Sequence, residues 1–228
     1  MKGKTTYSGQ DYWEDYHKTG IEAVRNREVK QERWLHPFIP LLKEHSVRAV
    51  MDLGCGSGYD ALVLARLGFE VSGCDISQLA IDHAREQAAE ENLAIDYLQH
   101  DIAQPLPYES GVFDAVICNL TLHMFPVNIA NDIVGELSRC LRPGGLFGFH
   151  VNATDDLPFR SKLQPPVVEL GDEMYCFGKG QTMRFFSEAA CRDLLQGWDI
   201  LVLQAVQMLR DDGAIQKCAW RCVAQKAM

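Results

Sequence analysis

The sequence lacks a long apolar run, a secretory leader and an excess of positive charge. No apolar run approaches the roughly 18 residues that a membrane-spanning helix needs. Residues 1–16 carry two lysines but no apolar segment of the kind that a secretory signal contains. The net charge is −9 at pH 7, which argues against nucleic acid or an anionic membrane as a partner. We therefore predict a cytoplasmic protein without nucleic-acid or membrane partners, and the sequence leaves its oligomeric state open.

The eight cysteines lack the familiar spacings of a metal site or a disulfide framework. No pair forms a C-x-x-C motif, and several lie in apolar runs such as AVICNL, where cysteine behaves as a small hydrophobic residue. We therefore predict free thiols and no bound metal. The sequence also lacks the G-x-x-x-x-G-K-[ST], G-x-S-x-G and H-E-x-x-H motifs, which argues against a phosphate-binding loop, a serine-hydrolase elbow and a zinc peptidase.

Apolar, β-branched runs alternate with helix-like stretches through the middle of the chain. The strands are predicted at 47–53, 70–75, 94–99, 113–119 and 145–151, and the helices at 59–68, 77–92 and 127–141. This alternation is typical of an α/β fold with a doubly wound, mostly parallel sheet. Near the C-terminus, two further strands flank Asp212 and Gly213, a pair that favours a hairpin turn.

Two regions break the alternation. Residues 11–45 have a helical pattern and carry several aromatic side chains before the first strand. Residues 152–183 contain several prolines and glycines and show no clear period, which favours a long functional loop. We therefore predict an N-terminal helical cover over 1–45 and a cofactor-binding domain over 46–228, with a substrate loop inserted at about 152–183.

Three glycines stand between the first strand and the first helix of the domain, in the stretch DLGCGSGYD (52–60). Glycine lets the backbone approach a ligand closely, and the helix that follows offers free N–H groups. Asp75 ends the next strand 21 positions after Gly54, where a carboxylate can accept hydrogen bonds from ribose hydroxyls. The pattern predicts a nucleoside-containing cofactor. A dinucleotide fingerprint would need glycine in place of Tyr59, so an NAD(P)-dependent oxidoreductase is a less favoured alternative.

Five motifs, in this order, resemble those of the class I S-adenosylmethionine-dependent methyltransferases. They are DLGCGSG (52–58), the acid at 75, HDIAQPLP (100–107), FDAVICNLTLHMF (113–125) and LRPGGLFGF (141–149). The resemblance implies a Rossmann-like, seven-stranded sheet with a C-terminal antiparallel hairpin, S-adenosylmethionine as cofactor and S-adenosylhomocysteine as product. A narrower similarity, carried partly by MRFFSEAACRDLLQGWDIL (183–201), is to the tellurite-resistance and thiopurine methyltransferases. It implies a small acceptor such as a soft thiol or a metalloid oxyanion.

The resemblance implies roles for individual residues of these motifs. Asp52 would orient the amino group of the cofactor, Asp75 would bind the ribose diol, and Asp101 would bind the adenine amino group. The isoleucines that directly follow Asp75 and Asp101 would enclose the adenine ring. The full set implied for cofactor binding is Asp52, Gly54, Cys55, Gly56, Gly58, Asp75, Ile76, Asp101, Ile102, Asn119 and Leu120.

The candidate residues for the acceptor are fewer. His123 and His150 follow or end the fourth and fifth strands at the edge where ligands bind, and either could serve as a general base. Arg184 could hold an anionic acceptor. Each of these three side chains could instead have a structural role.

An aromatic cluster near the N-terminus completes the predicted site. Tyr12, Trp13 and Tyr16 supply faces that can enclose a sulfonium through cation–π contacts, or that can pack as an ordinary helix surface. The sequence therefore predicts an enzyme that transfers a methyl group from S-adenosylmethionine to a small-molecule acceptor. A non-catalytic S-adenosylmethionine-binding protein is the alternative from another functional class.

Overall fold

The computed structural model describes residues 7–24, 34–178, 180–209 and 215–228. Its helices are α1 Gln10–Val24, α2 Phe38–Glu44, α3 Tyr59–Arg66, α4 Gln78–Glu90, α5 Val127–Cys140, α6 Leu157–Leu163 and α7 Glu188–Leu194. Its strands are β1 Ala49–Leu53, β2 Glu70–Asp75, β3 Ile95–Gln99, β4 Phe113–Asn119, β5 Leu141–Asn152, β6 Val167–Gly171, β7 Met174–Phe177, β8 Thr182–Arg184, β9 Trp198–Leu209 and β10 Ile215–Lys226. No helix of the described residues is long and apolar enough to cross a membrane.

Seven strands form the central sheet in the order β3-β2-β1-β4-β5-β10-β9. The pairs among β1 to β5 are parallel, whereas β10 runs antiparallel to both β5 and β9. The predicted Rossmann-like sheet with a C-terminal antiparallel hairpin is therefore confirmed. The turn predicted at Asp212 and Gly213 lies outside the described residues.

The sheet forms because its central strands are apolar on both faces and helices cover each side. In β1, Val50, Met51 and Leu53 are all fully buried, and the two faces pack into two separate hydrophobic clusters. The predicted start of the helix at 77–92, which is α4 in the structure, is also confirmed. The Ser77 side chain caps it by accepting a hydrogen bond from the N–H of Ala80 at 3.1 Å. The cap fixes the chain direction directly after the carboxyl end of β2.

The region predicted as an irregular loop at 152–183 is largely regular, and that prediction is wrong. It contains α6 and a small antiparallel sheet in the order β6-β7-β8. Its strands are only three to five residues long, so an alternating pattern has too few positions to be recognised. The sheet is anchored to the main core by Phe177 and Met183, which are buried.

Candidate functional site

A cavity of about 690 Å³ opens at the carboxyl edge of β1, β2 and β4, the edge where ligands bind in open α/β sheets. Its walls come from the loop after β1, from α1 and from the segments that follow β3 and β4. Its remaining wall comes from α6, β8 and β10. The cavity brings together these residues of the sequence prediction: Tyr12, Trp13, Tyr16, Asp52, Gly54, Cys55, Gly56, Asp75, Ile76, Asp101, Ile102, Asn119, Leu120 and His123.

Gly54 and Gly58 have positive φ values of 72° and 79°, which favour glycine. A Cβ atom at Gly54 would overlap the side chain of Thr121, and one at Gly58 would overlap the hydroxyl of Tyr97. Gly58 does not line the cavity but stands at the N-terminus of α3. Gly58 was predicted to lie against a cofactor. In the structure it instead forms the turn at which α3 begins.

Asp75 is held by backbone donors at the end of β2. Its Oδ2 accepts a hydrogen bond from the N–H of Gly56 at 2.9 Å, and its Oδ1 accepts one from the N–H of Ser77 at 2.9 Å. Burial raises the pKa of Asp75, and the hydrogen bond from Ser77 opposes that rise. The carboxylate is thus fixed in orientation, while each oxygen keeps a lone pair for a ligand.

Asp52 and Asp60 form a buried acidic pair at the base of the cavity. Asp60 Oδ2 accepts hydrogen bonds from Trp34 Nε1 at 2.9 Å and from Asn119 Nδ2 at 2.8 Å. Asp60 Oδ1 and Asp52 Oδ2 are buried and have no hydrogen-bond partner among the described residues. Burial raises the pKa of Asp60 to about 6, and burial together with the charge of Asp60 raises the pKa of Asp52. A donor or cation entering the cavity would supply the missing partner.

We expect Asp60→Asn to raise the free energy of unfolding at pH 7.5 by about 1–3 kcal/mol. The folded pKa of about 6 lies above the ordinary value of 3.8, so ionisation of Asp60 favours the unfolded chain. The wild-type protein therefore loses stability as the pH rises from about 4 to about 6, and asparagine removes that loss while keeping an acceptor for Trp34.

Urea unfolding of both proteins at pH 4 and at pH 7.5 measures this effect. Asp96→Asn is the matched control, because Asp96 is exposed on β3. An Asp60→Asn protein that is no more stable than the wild-type protein at pH 7.5 would contradict the raised pKa of Asp60 in the folded state.

The helix α1 covers the cavity with aromatic side chains. Trp13 makes edge-to-face contacts with Tyr12 and Tyr16, with ring centroids 5.1 and 5.3 Å apart. Glu14, on the same helix, accepts hydrogen bonds from the hydroxyl of Ser77 at 2.9 Å and from the N–H of Gln78 at 2.7 Å. The N-terminal part of the predicted cover therefore docks on the start of α4, and residues 25–33 lie outside the described chain.

Sequence reasoning missed two residues of α1, which lie beside the loops after β1 and β2. Glu14 anchors the helix, and the His17 ring approaches within 3.4 Å of the position that a Cβ on Gly56 would occupy. His17 is also close enough to Asp75 to feel its charge, although burial lowers the pKa of His17 overall. A helical pattern does not reveal which distant residues a helix faces, so the local sequence carries no signal for either role.

The two candidate histidines have different positions. His123 is buried and lines the cavity, and its Nδ1 has no hydrogen-bond partner among the described residues. Burial, with the nearby charge of Lys217, lowers its pKa well below 6.5, so the ring is neutral at pH 7. His150 is not part of the cavity wall: it stacks on Trp34 at 6.0 Å, and its Nδ1 lies 3.2 Å from Asn119 Oδ1. The structure thus places His150 in a packing contact outside the cavity wall.

Arg184 also lies away from the main cavity, contrary to its suggested contact with an acceptor. It lines a separate, smaller depression beside α5 and α7. Its guanidinium lies 4.2 Å from the ring centre of Phe186 and 3.5 Å from the carboxylate of Glu173. These contacts explain the arginine as a structural cation that links β8 to the turn between β6 and β7.

Two basic side chains that sequence reasoning missed line the cavity instead. Arg160 comes from α6, and Lys217 comes from β10, where its Nζ donates a hydrogen bond to Asn152 Oδ1 at 2.5 Å. Both act electrostatically on His123. Arg160 lies in a region without a readable period and Lys217 in the C-terminal hairpin, so only the tertiary fold brings them together.

Comparisons with known proteins agree with this architecture. Residues 50–145 match the family described as "Methyltransferase domain". Over 128 residues the chain is 38% identical to the malonyl-[acyl-carrier protein] O-methyltransferase of Enterobacter lignolyticus, covering 56% of this chain and 48% of that protein. Over 118 residues it is 35% identical to the ubiquinone biosynthesis O-methyltransferase of Nitrosococcus oceani, covering 49% of each. The chain therefore spans about half the length of these relatives.

A solved structure with the same fold covers nearly the whole chain. The magnesium protoporphyrin IX methyltransferase of Synechocystis PCC 6803, solved with bound S-adenosylmethionine, superposes with a TM-score of 0.67 at 18% identity. The superposition covers 96% of this chain and 95% of that one. Residues 50–145 thus match a methyltransferase domain, and the chain shares the fold of a solved methyltransferase with bound S-adenosylmethionine.

Proposed function

We propose that this protein transfers a methyl group from S-adenosylmethionine to a small-molecule acceptor enclosed in the same cavity. The observation that carries the proposal is the continuity of the cavity. It runs from the carboxylate of Asp75, suited to a ribose, to the side chains of His123 and Lys217, which are not among the residues implied for cofactor binding. One enclosed volume can therefore hold two ligands side by side.

The residues at the sheet edge fit the cofactor. Asp75 offers fixed acceptor oxygens for the ribose diol, and Ile76 and Ile102 line the cavity where an adenine ring would lie. Asp101 is positioned by the N–H of Ala103 at 3.0 Å. The unpartnered oxygens of the acidic pair formed by Asp52 and Asp60 suit the ammonium group of the cofactor's methionine part.

The bound cofactor supplies a methyl group that is already activated at a sulfonium. The task of the protein is therefore to exclude water and to align the acceptor with that methyl. Tyr12, Trp13 and Tyr16 provide the covering surface. His123 is neutral, and its Nδ1, which has no partner among the described residues, can accept a hydrogen bond from an acceptor hydroxyl.

An oxygen nucleophile is the favoured acceptor atom. The two sequence relatives are named as O-methyltransferases, and a neutral histidine suits a hydroxyl better than a soft anion, which needs no base. A soft thiol or metalloid oxyanion, which the similarity to the tellurite-resistance and thiopurine methyltransferases implies, is the competing acceptor class.

All eight cysteines are free thiols, which supports a reducing compartment such as the cytoplasm as part of this proposal.

A methyl-transfer screen with labelled S-adenosylmethionine tests the proposal. The acceptors are hydroxyl, carboxylate, amine, thiol and metalloid oxyanion compounds, and the product S-adenosylhomocysteine is quantified in each reaction. Transfer to an oxygen compound is the expected result. Tight binding of S-adenosylhomocysteine without transfer to any acceptor would favour the non-catalytic alternative.

We expect transfer to persist unchanged in the presence of a chelator. Displacement at a sulfonium needs no Lewis acid, and the cysteine and histidine spacings of the sequence match no metal-binding pattern. The measurement is the initial rate before and after dialysis against a chelator. A rate that disappears on dialysis and returns with a divalent cation would contradict this prediction.

A further inference from the structure

We propose that the acceptor carries a carboxylate, which Lys217 and Arg160 bind at the end of the cavity beside His123. This inference rests on the proposed function and adds the chemical class of the substrate. The two cations come from different elements, β10 and α6, yet both line the same cavity and both act electrostatically on His123. Neither Arg160 nor Lys217 lies in any of the five motifs of the cofactor-binding resemblance.

One acidic side chain, Asp156, acts on Lys217, whereas Lys217 and Arg160 together carry two positive charges. Lys217 is close enough to Asp156 for that acid to raise its pKa, and the Asp156 carboxylate also accepts a hydrogen bond from the N–H of Cys218 at 2.8 Å. The other polar contact of Lys217 is to the neutral amide of Asn152. The Arg160 Nε is buried and has no hydrogen-bond partner among the described residues.

An arrangement of this kind is unfavourable without a ligand. Burial lowers the pKa of Lys217 to about 8, so the ammonium is still mostly charged at pH 7. A half-buried ammonium with one acidic neighbour and a buried guanidinium N–H without a partner among the described residues both favour an added anion. An incoming carboxylate would satisfy both, because the planar guanidinium matches its two oxygens and the ammonium adds a second charge.

The position of these cations also separates the two ligands by charge. The acidic pair of Asp52 and Asp60 and the carboxylate of Asp75 face the part of the cavity assigned to the cofactor. Lys217 is on β10, which β4 and β5 separate from β1 and β2 in the sheet, and both cations act electrostatically on the neutral His123. A carboxylate held by the cations would leave the rest of the acceptor extending towards the cofactor, where His123 can contact a hydroxyl.

Matched acid and amide pairs test the inference. The probes are benzoate with benzamide, and 3,4-dihydroxybenzoate with its amide, titrated calorimetrically into full-length protein saturated with S-adenosylhomocysteine. The variants are Lys217→Met and Arg160→Met, and Lys162→Met is the control because Lys162 is exposed on α6. Thermal unfolding and the affinity for S-adenosylhomocysteine show whether each variant is folded.

We expect each acid to bind at least tenfold more tightly than its amide in the wild-type protein and in Lys162→Met. Lys217→Met and Arg160→Met should each lose most of that preference and keep their affinity for S-adenosylhomocysteine.

The inference would be overturned if acid and amide bound with equal affinity or if neither acid bound. It would also be overturned if both variants kept the wild-type preference for the acid. Methyl transfer to neutral acceptors alone would overturn it while the proposed function stands. A wild-type protein that does not bind S-adenosylhomocysteine would overturn the proposed function, and the acids and amides would then be titrated without it.

Discussion

Replacing Asp75 with alanine is expected to lower the affinity for S-adenosylhomocysteine by about 100-fold or more. Asp75 offers two oriented carboxylate oxygens at the cavity wall, and two charge-assisted hydrogen bonds to a ribose would together contribute about 3 kcal/mol or more. Isothermal titration calorimetry of both proteins at pH 7.5 gives the two dissociation constants directly.

The same substitution also removes the acceptors of the N–H groups of Gly56 and Ser77. Thermal unfolding of Asp75→Ala must therefore show a single cooperative transition before the affinities are compared. Asp96→Ala on the neighbouring strand β3 is the matched control, because Asp96 is exposed and should leave binding unchanged. Wild-type affinity in a folded Asp75→Ala protein would mean that the ribose does not bind there.

Gly54→Ala is expected to lower the free energy of unfolding by about 2–5 kcal/mol. The φ of 72° costs roughly 1–2 kcal/mol for a residue with a Cβ atom. The new methyl would overlap the Thr121 side chain, and such overpacking adds about 1–3 kcal/mol. Because Gly54 lines the cavity, relief of the overlap must move the loop that approaches the cofactor, so the affinity for S-adenosylhomocysteine should fall as well.

Gly111→Ala separates backbone strain from overlap. Gly111 has the same φ of 72°, but the nearest atom to its added Cβ is 3.8 Å away. Urea unfolding should show a loss of about 1–2 kcal/mol for this control and a clearly larger loss for Gly54→Ala. Equal losses in the two variants would show that the contact with Thr121 does not constrain the loop.

The sheet could be predicted well because its signals are local. The bounds of β2 and β4 agree with the predicted 70–75 and 113–119. The apolar run of β4 ends at Asn119, whereas β2 is bracketed by Gly68 and by the helix-capping Ser77. The small sheet at 167–184 could not be predicted in this way. Its strand β6 exposes Val168 and Leu170, so its apolar residues do not mark a buried face.

The residues that we assign to cofactor binding could be predicted from the sequence for the same reason. Its residues come from the loop after β1 and from the first positions after β2, β3 and β4, where topology alone brings them to one edge. The part of the cavity that we assign to the acceptor is lined by residues of α1, α6 and β10, and no local pattern connects Arg160 with Lys217. His150 shows that a position near the carboxyl edge of the sheet does not by itself identify a site residue. It lies near that edge, but its ring stacks on Trp34.

A crystal structure of the protein with S-adenosylhomocysteine tests the central claim most directly. We expect the ribose hydroxyls to bind the Asp75 carboxylate and the sulfur to face the open part of the cavity, towards His123 and Lys217. That arrangement would leave a continuous space for an acceptor beside the departing methyl. A nucleoside bound away from Asp75, or a sulfur that faces a closed protein wall, would contradict methyl transfer within this cavity.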